Sequence, residues 1–248
     1  MRFDLLTIFP RSLDSYFNES ILKRAQQKKL ITITTHDIRR SATDKHHTVD
    51  DKPYGGGAGM VMKVDVVHRA LKRLYPRKNK STRVILLSPR GSFYTQADAQ
   101  RLKKYKRLIL IAGHYEAIDA RIEDYVDEIL SVGPYVVTGG ELPAAIIIDS
   151  VARLLPGVVG KEASIADESY THHDTHGYTI EYPHYTRPEI YNGKKVPDTL
   201  LSGNHAAIAA WRQKKSRTIQ WQLWLDYEGE KDTYWTILVI FDPTITIY

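Results

Sequence analysis

The sequence predicts an α/β protein built on a mostly parallel sheet covered on both faces. Two observations lead there: short β-rich runs alternate with segments of helical periodicity over residues 2–155, and residues 83–88 read as a strand buried on both sides. A third observation bears on function. Three glycine-bearing or turn-like loops follow predicted strands, and open α/β sheets bind ligands beyond the carboxyl ends of their strands.

In order, residues 2–9 alternate and are β-rich up to Pro10, after which Ser12 and Asp14 are candidate caps for a helix reaching about residue 29. Residues 30–38 form a second strand, where Ile31-Thr-Ile-Thr-Thr35 gives period two. Residues 39–63 are irregular and contain Asp44-Lys-His-His-Thr-Val-Asp-Asp-Lys-Pro-Tyr-Gly-Gly-Gly-Ala-Gly-Met60. Irregular segments of this length are functional or disordered. Spacing predicts a helix over 64–75, the buried strand 83–88, a polar surface helix over 95–104 and a strand over 107–112 closing at Gly113. Segments 126–132 and 135–138 read as short strands before an apolar helix over 142–155.

Composition then shifts. Residues 1–158 form the first predicted domain, 159–182 a polar interdomain linker without periodicity, and 183–248 a small second domain. The last contains a helix over 206–217 that Asn204 is suited to cap. Residues 218–248 are aromatic and β-branched with little helical pattern.

At 248 residues, 42% hydrophobic and 26% charged, the chain can bury a full core. The absence of cysteine excludes a disulfide framework, a thiol nucleophile and thiolate-bound zinc. The apolar stretch 142–148 is too short to cross a bilayer, and the N-terminus has no basic, apolar and cleavable leader, so no membrane partner and a cytoplasmic location are expected. A net charge of +6 tilts the chain toward a polyanionic partner.

The three loops are Leu87-Ser-Pro-Arg-Gly91, residues 113–121 and Thr138-Gly-Gly-Glu141. Converging on one pocket, they would offer backbone donors and acceptors to a flat ligand such as an adenine nucleoside; taken singly, each is more readily a plain turn. Residues 54–60 lack the Gly-Lys-Ser/Thr ending of a P-loop and the setting of a dinucleotide fingerprint. The His172-His-Asp-Thr-His176 run has metal-ligand residue types but sits in polar sequence, where solvated histidines account for it. Asp167-Glu168 follows the apolar helix that delivers Arg153: a carboxylate can take a proton, and a guanidinium can stabilise a developing oxyanion.

Together these stretches resemble the bacterial tRNA guanine-N1 methyltransferases of the knotted α/β (SPOUT-type) superfamily. The carriers are His46-x-Thr-Val-Asp-Asp-x-Pro-Tyr-Gly-Gly-Gly-x-Gly-Met60, Leu87-Ser-Pro89, Gly113-x-Tyr-Glu-x-Ile-Asp-x-Arg121, Gly139-Gly-Glu-Leu-Pro-Ala144, Asp149-Ser-Val-x-Arg153, Pro183-His-Tyr-Thr-Arg-Pro188 and Leu201-Ser-Gly-Asn-His205. The resemblance covers residues 1 to about 217. It implies a deep trefoil knot at the end of the first domain, a mainly helical C-terminal domain that holds tRNA, and a homodimer. It also implies S-adenosylmethionine as methyl donor, bound by Leu87, Ser88, Pro89, Gly113, Tyr115 and Glu116, and by Val132, Gly133, Tyr135, Val137, Gly139, Gly140 and Pro143. For the tRNA it implies His46, Asp50, Tyr54 and Gly59, with Arg187, Asn204 and His205 in the second domain. Magnesium dependence is a further family expectation, although no metal cage is visible.

The implied reaction is methylation of N1 of guanosine 37, just 3′ of the anticodon. The acid after the knot helix takes the N1 proton and Arg153 steadies charge on O6. That acid maps to Glu168, where the family more commonly has Asp, so Asp167 stands beside it as an alternative. The sequence also departs from the family pattern at His114 (usually Arg), Ala117 (Gly), Ala58 (Pro) and Pro134 (often Asp), and its residues after 217 do not match the family's basic helical ending. A catalytically impaired knotted RNA-binding protein is the alternative reading.

Overall fold

The computed structural model describes residues 1–160, 168–170, 173–174 and 177–219. The chain divides into two compact units, Met1–Glu162 and Ala163–Tyr248.

The first unit is organised by a five-stranded, all-parallel sheet. Its strands are β1 (Arg2–Thr7), β2 (Thr32–Asp37), β5 (Thr82–Phe93), β6 (Arg107–Ala112) and β8 (Glu128–Ser131), in the order β2-β1-β6-β5-β8. Alternate residues of a strand point to opposite faces, so each central strand feeds two cores. One core takes Leu6, Ile8, Val84, Leu86, Ile109 and Ile111, packed against Val66, Val67, Ala70 and Leu71 of helix α3 (Val64–Leu74). On the other face lie the buried Phe3, Leu5, Ile85, Leu87, Leu108 and Leu110. Helix α5 (Glu141–Ala152) packs against β1 and β6 and beside α4 (Gln96–Leu102), whose Thr95 and Asp98 form a reciprocal capping box.

The predicted helix after Pro10 is in fact two, α1 (Asp14–Phe17) and α2 (Ser20–Gln27). The break has a local cause. Asn18 Nδ2 donates 2.7 Å to the Asp14 carbonyl, competing with the helical ladder, and Glu19 then turns extended. Neither Ser12 nor Asp14 caps the first helix; Leu13 stands at that position without a side-chain bond.

Residues 39–63 are largely irregular, as expected, but carry the short strands β3 (Asp50–Asp51) and β4 (Val61–Met62). These pair with each other and with β7 (Ala117–Ile118) in a small separate sheet. Residues 135–138 do not form the expected strand. Pro134 has no N–H to give a ladder, Gly133 takes φ +155°, and the Tyr135 amide turns back onto the Gly133 carbonyl at 2.9 Å.

In the second unit, β9 (His173–Asp174), β10 (Gly177–Ile180) and β13 (Arg217–Ile219) form an antiparallel sheet, while β11 (Ile190–Tyr191) and β12 (Lys194–Lys195) form a hairpin. Two of these strands lie within the segment read from sequence as linker, and the third at the start of the tail. Periodicity is illegible in strands this short. Helix α6 (Asp198–Leu201) leads to α7 (His205–Lys215), whose Ala207 amide bonds the Asn204 side chain at 3.1 Å, making Asn204 the predicted cap. Residues 220–248 lie outside the described residues.

Candidate active site

Parallel pairing sets three strand ends side by side. Leu87 of β5 stands opposite both Ala112 of β6 and Leu130 of β8, so the loops leaving these strands start within roughly 5 Å of a neighbour. Strand β5 does not stop at Ser88, as the sequence suggested, but runs to Phe93. Its register against β8 jumps between Leu87 and Ser92, both of which face Leu130, so residues 88–91 loop out of the ladder as a bulge. The predicted Ser88-Pro89 turn therefore exists, but inside a strand.

The second and third loops are joined directly. The Gly140 amide donates 2.8 Å to the Gly113 carbonyl, and Gly139 forms an isolated bridge with His114. A Cβ on Gly140 would lie 2.7 Å from the Ala112 Cα and 2.9 Å from the Gly113 nitrogen, so only glycine permits this approach. Gly113, Gly139, Gly140 and the Leu87 strand end are thus brought together, and Pro143 is buried in the first turn of α5. Val132 and Gly133 are half-buried; Tyr135 and Val137 are exposed on the turn beyond.

Beneath the junction sits a buried carboxylate that the sequence did not single out as functional. Glu141 opens α5, is 7% exposed and accepts a 2.6 Å hydrogen bond from the Thr7 hydroxyl at the end of β1. The free N–H groups of a helix start favour an acid there. Its other oxygen lies 3.8 Å from Nδ1 of His114, which has no hydrogen-bond partner among the described residues, and Phe9 meets that imidazole edge-on at 4.8 Å. The signal for Glu141 was its place among apolar helix residues; nothing local marked Thr7.

Of the residues expected on the substrate side of the first unit, Gly59 lies against the second loop. Strand β4 pairs in parallel with β7, the Glu116 amide donates 3.1 Å to the Met60 carbonyl, and the Glu116 side chain folds over Gly59. Tyr115, at φ +61°, brings its hydroxyl 3.5 Å from the Arg39 guanidinium. Asp50 is half-buried opposite Met62, whereas His46 and Tyr54 are exposed, Tyr54 completely. Asp119 and Arg121 serve the loop itself: Arg121 bonds the Asp119 carboxylate, which also accepts the Arg121 amide to cap a 3-10 turn over Ala120–Tyr125, and these bonds hold Asp119 below its ordinary pKa.

Arg153 ends α5 with its amide bonded to the Asp149 carbonyl at 3.0 Å. Asp149 in turn accepts from the Tyr16 hydroxyl, and that bond together with burial pushes the phenol up to about 12. Glu168 belongs to the second unit and is half-buried; Asp167 lies outside the described residues. Arg187 and His205 are exposed on the second unit, as is Asn204, whose side chain is committed to capping. Of the His172–His176 run, His172 and His176 lie outside the described residues, and among those described no three His, Asp or Glu side chains gather as a metal site. No described helix is long and apolar enough to cross a membrane.

A parallel sheet with glycine loops drawn together at its carboxyl edge, above a buried acid at a helix start, defines an α/β protein of the architecture that binds ligands beyond its strand ends. The family pattern described as tRNA (Guanine-1)-methyltransferase TrmD matches residues 1–227. A curated tRNA (guanine-N(1)-)-methyltransferase of Chloroflexus aggregans is 51% identical over 216 residues, 87% of this chain and 82% of the relative. Those of Geobacillus kaustophilus and Ruminiclostridium cellulolyticum are 51% and 48% identical, covering 86% and 91% of the relatives and 87% of this chain in each case. The chain belongs to the tRNA (guanine-N1)-methyltransferase family.

Proposed function

We infer that the chain transfers a methyl group from S-adenosylmethionine to N1 of guanosine 37 of tRNA. The observation that carries this reading is the closure of Gly140 onto Gly113, which gathers the family's loops into one cradle within a chain of that family. The glycines let the loops pack main chain against main chain, which sets backbone donors and acceptors side by side as a flat adenosine group requires. When bound there, S-adenosylmethionine supplies an electrophilic sulfonium methyl.

The chemistry required of the protein is set by guanine. N1 holds a proton near neutral pH and is a poor nucleophile until that proton leaves. Glu168 takes the proton, with Asp167 as the alternative base, while Arg153 stabilises the charge that then spreads to O6. Asp50 lies on the guanine side, with His46, Tyr54 and Gly59 flanking, and Glu116 stands between cofactor and guanine; Arg187, Asn204 and His205 serve the tRNA from the C-terminal domain. In this reading the cradle loops form a trefoil knot. The protein works in the cytoplasm as a homodimer, for which Leu142 and Ile146, 58% and 44% exposed one turn apart on a mostly buried helix, supply the contact face. Magnesium dependence stays a family expectation, and among the described residues no three His, Asp or Glu side chains gather to hold the ion.

Transfer of labelled methyl to an unmodified tRNA, against the same tRNA with guanosine 37 replaced, tests the reading. Glu168→Gln and Arg153→Ala should each abolish transfer and leave S-adenosylmethionine binding intact; activity within a fewfold of wild type would remove these roles. The turn at Pro134, which lacks both a carboxylate and an N–H, favours the second reading, an impaired RNA-binding protein. Retained tRNA binding with no transfer by the wild-type chain would establish that alternative.

A further inference from the structure

A crevice of about 310 Å³ opens at the β2 edge of the sheet, outside the three cradle loops. Its polar walls are Thr35, His36 and Asp37 at the end of β2, Arg40 and Ser41 on the 3-10 turn that follows, and Arg73 on the last turn of α3. The charge is unbalanced. Arg73 spends one N–H on the Arg40 carbonyl at 3.2 Å, and among the described residues no carboxylate pairs with either guanidinium. The acid in the wall, Asp37, is engaged by the Arg39 amide at 2.9 Å, and His36 is held by Asp4 at 2.6 Å. Two guanidiniums flanked by the Thr35 and Ser41 hydroxyls form a donor-rich, cationic recess, the chemistry that takes a phosphate.

Its position names the source of that phosphate. All five strands of the sheet run parallel, so β2 ends on the same edge as β6, two strand spacings away, or roughly 10 Å. The same short turn also reaches the cradle, because Arg39 meets the Tyr115 hydroxyl. We propose that Arg40 and Arg73 form a phosphodiester subsite that grips the tRNA backbone beside the nucleotide being methylated. This rests on the methyltransferase reading above and adds to it a positioning contact outside the reaction centre.

The test is equilibrium binding of unmodified tRNA to the full chain over a salt series, for wild type and Arg40→Gln/Arg73→Gln. Losing two phosphate contacts should weaken binding at least tenfold and flatten the log-log salt slope by about 1 to 2. S-adenosylmethionine affinity should stay within twofold of wild type, as should the rate of methyl transfer at saturating tRNA. The charge-keeping Arg40→Lys/Arg73→Lys variant should hold most of the affinity, which separates charge from folding. Unchanged tRNA affinity and slope in the glutamine variant overturn the proposal. So does a variant that loses competition by inorganic phosphate while gripping tRNA normally, since the recess then serves a free anion. If wild type itself neither binds nor methylates tRNA, the functional reading fails first; if it does both while the variant titrates like wild type, only the crevice assignment falls.

Discussion

Gly140→Ala is the sharpest probe of the cradle, because the damage can be worked out atom by atom. The glycine has φ −77°, which any residue adopts, so the substitution introduces no backbone strain. The harm is steric: the new methyl would sit 2.7 Å from the Ala112 Cα and 2.9 Å from the Gly113 nitrogen, both main-chain atoms of the central strand end. Neither can move aside as a flexible side chain would. Relief requires the loop after β8 to lift away, which breaks the 2.8 Å bond from the Gly140 amide to the Gly113 carbonyl. Overpacking of this kind costs about 1–3 kcal/mol and a lost hydrogen bond about 0.5–1.5 kcal/mol, so roughly 2–4 kcal/mol is expected. Urea denaturation should show it as a lower midpoint with an unchanged slope. Calorimetric titration should show S-adenosylmethionine binding weakened at least tenfold, since the displaced loop is the cradle wall. Gly160→Ala, where nothing lies within 4 Å of the added carbon, is the control and should shift stability by less than about 0.5 kcal/mol. A Gly140→Ala protein that unfolds with the wild-type midpoint and binds the cofactor equally well would refute the claim that this approach builds the site.

Two other perturbations follow from the structure. Asp4 is fully buried; burial alone would raise its carboxyl, but bonds from His36, Arg2 and Arg107 outweigh that and bring it down to about 2 from 3.8. A folded-state pKa below the unfolded one gives stability that is present above pH 3.8 and lost as pH falls through about 2; at 1.36 kcal/mol per unit this is about 2 kcal/mol. Asp4→Asn should therefore lower stability at pH 7 by about that amount and flatten the acid limb of a pH series of urea melts. Separately, Leu142→Asp with Ile146→Asp should shift the protein to monomer in sedimentation velocity, and an unchanged dimer would move the contact face elsewhere.

Much of the first unit was legible in the chain, and the reason is periodicity. Residues 108–112 are a continuous apolar run, and the strand read over 107–112 became β6 residue for residue; the valine and leucine spacing after Lys63 became α3. Asn204 was recognisable as a cap because its short side chain must satisfy the helix start. What failed did so for local reasons. Asn18 split a helix that composition alone could not divide, Pro134 denied a ladder to a β-branched run, and strands of two to four residues in the second unit carry too little pattern to read.

The sequence by itself determined the parallel α/β class, the family and the three glycine-bearing or turn-like loops, because each is written in residue types that act within a few positions. Only the tertiary structure decided that Gly140 closes on Gly113 and that β5 bulges at residues 88–91 instead of ending there. It alone paired Thr7 with Glu141, 134 residues apart, and left Arg40 and Arg73 sharing one crevice. These contacts join segments whose sequences carry no record of each other; strand order in the sheet, a property of the whole chain, is what makes them neighbours.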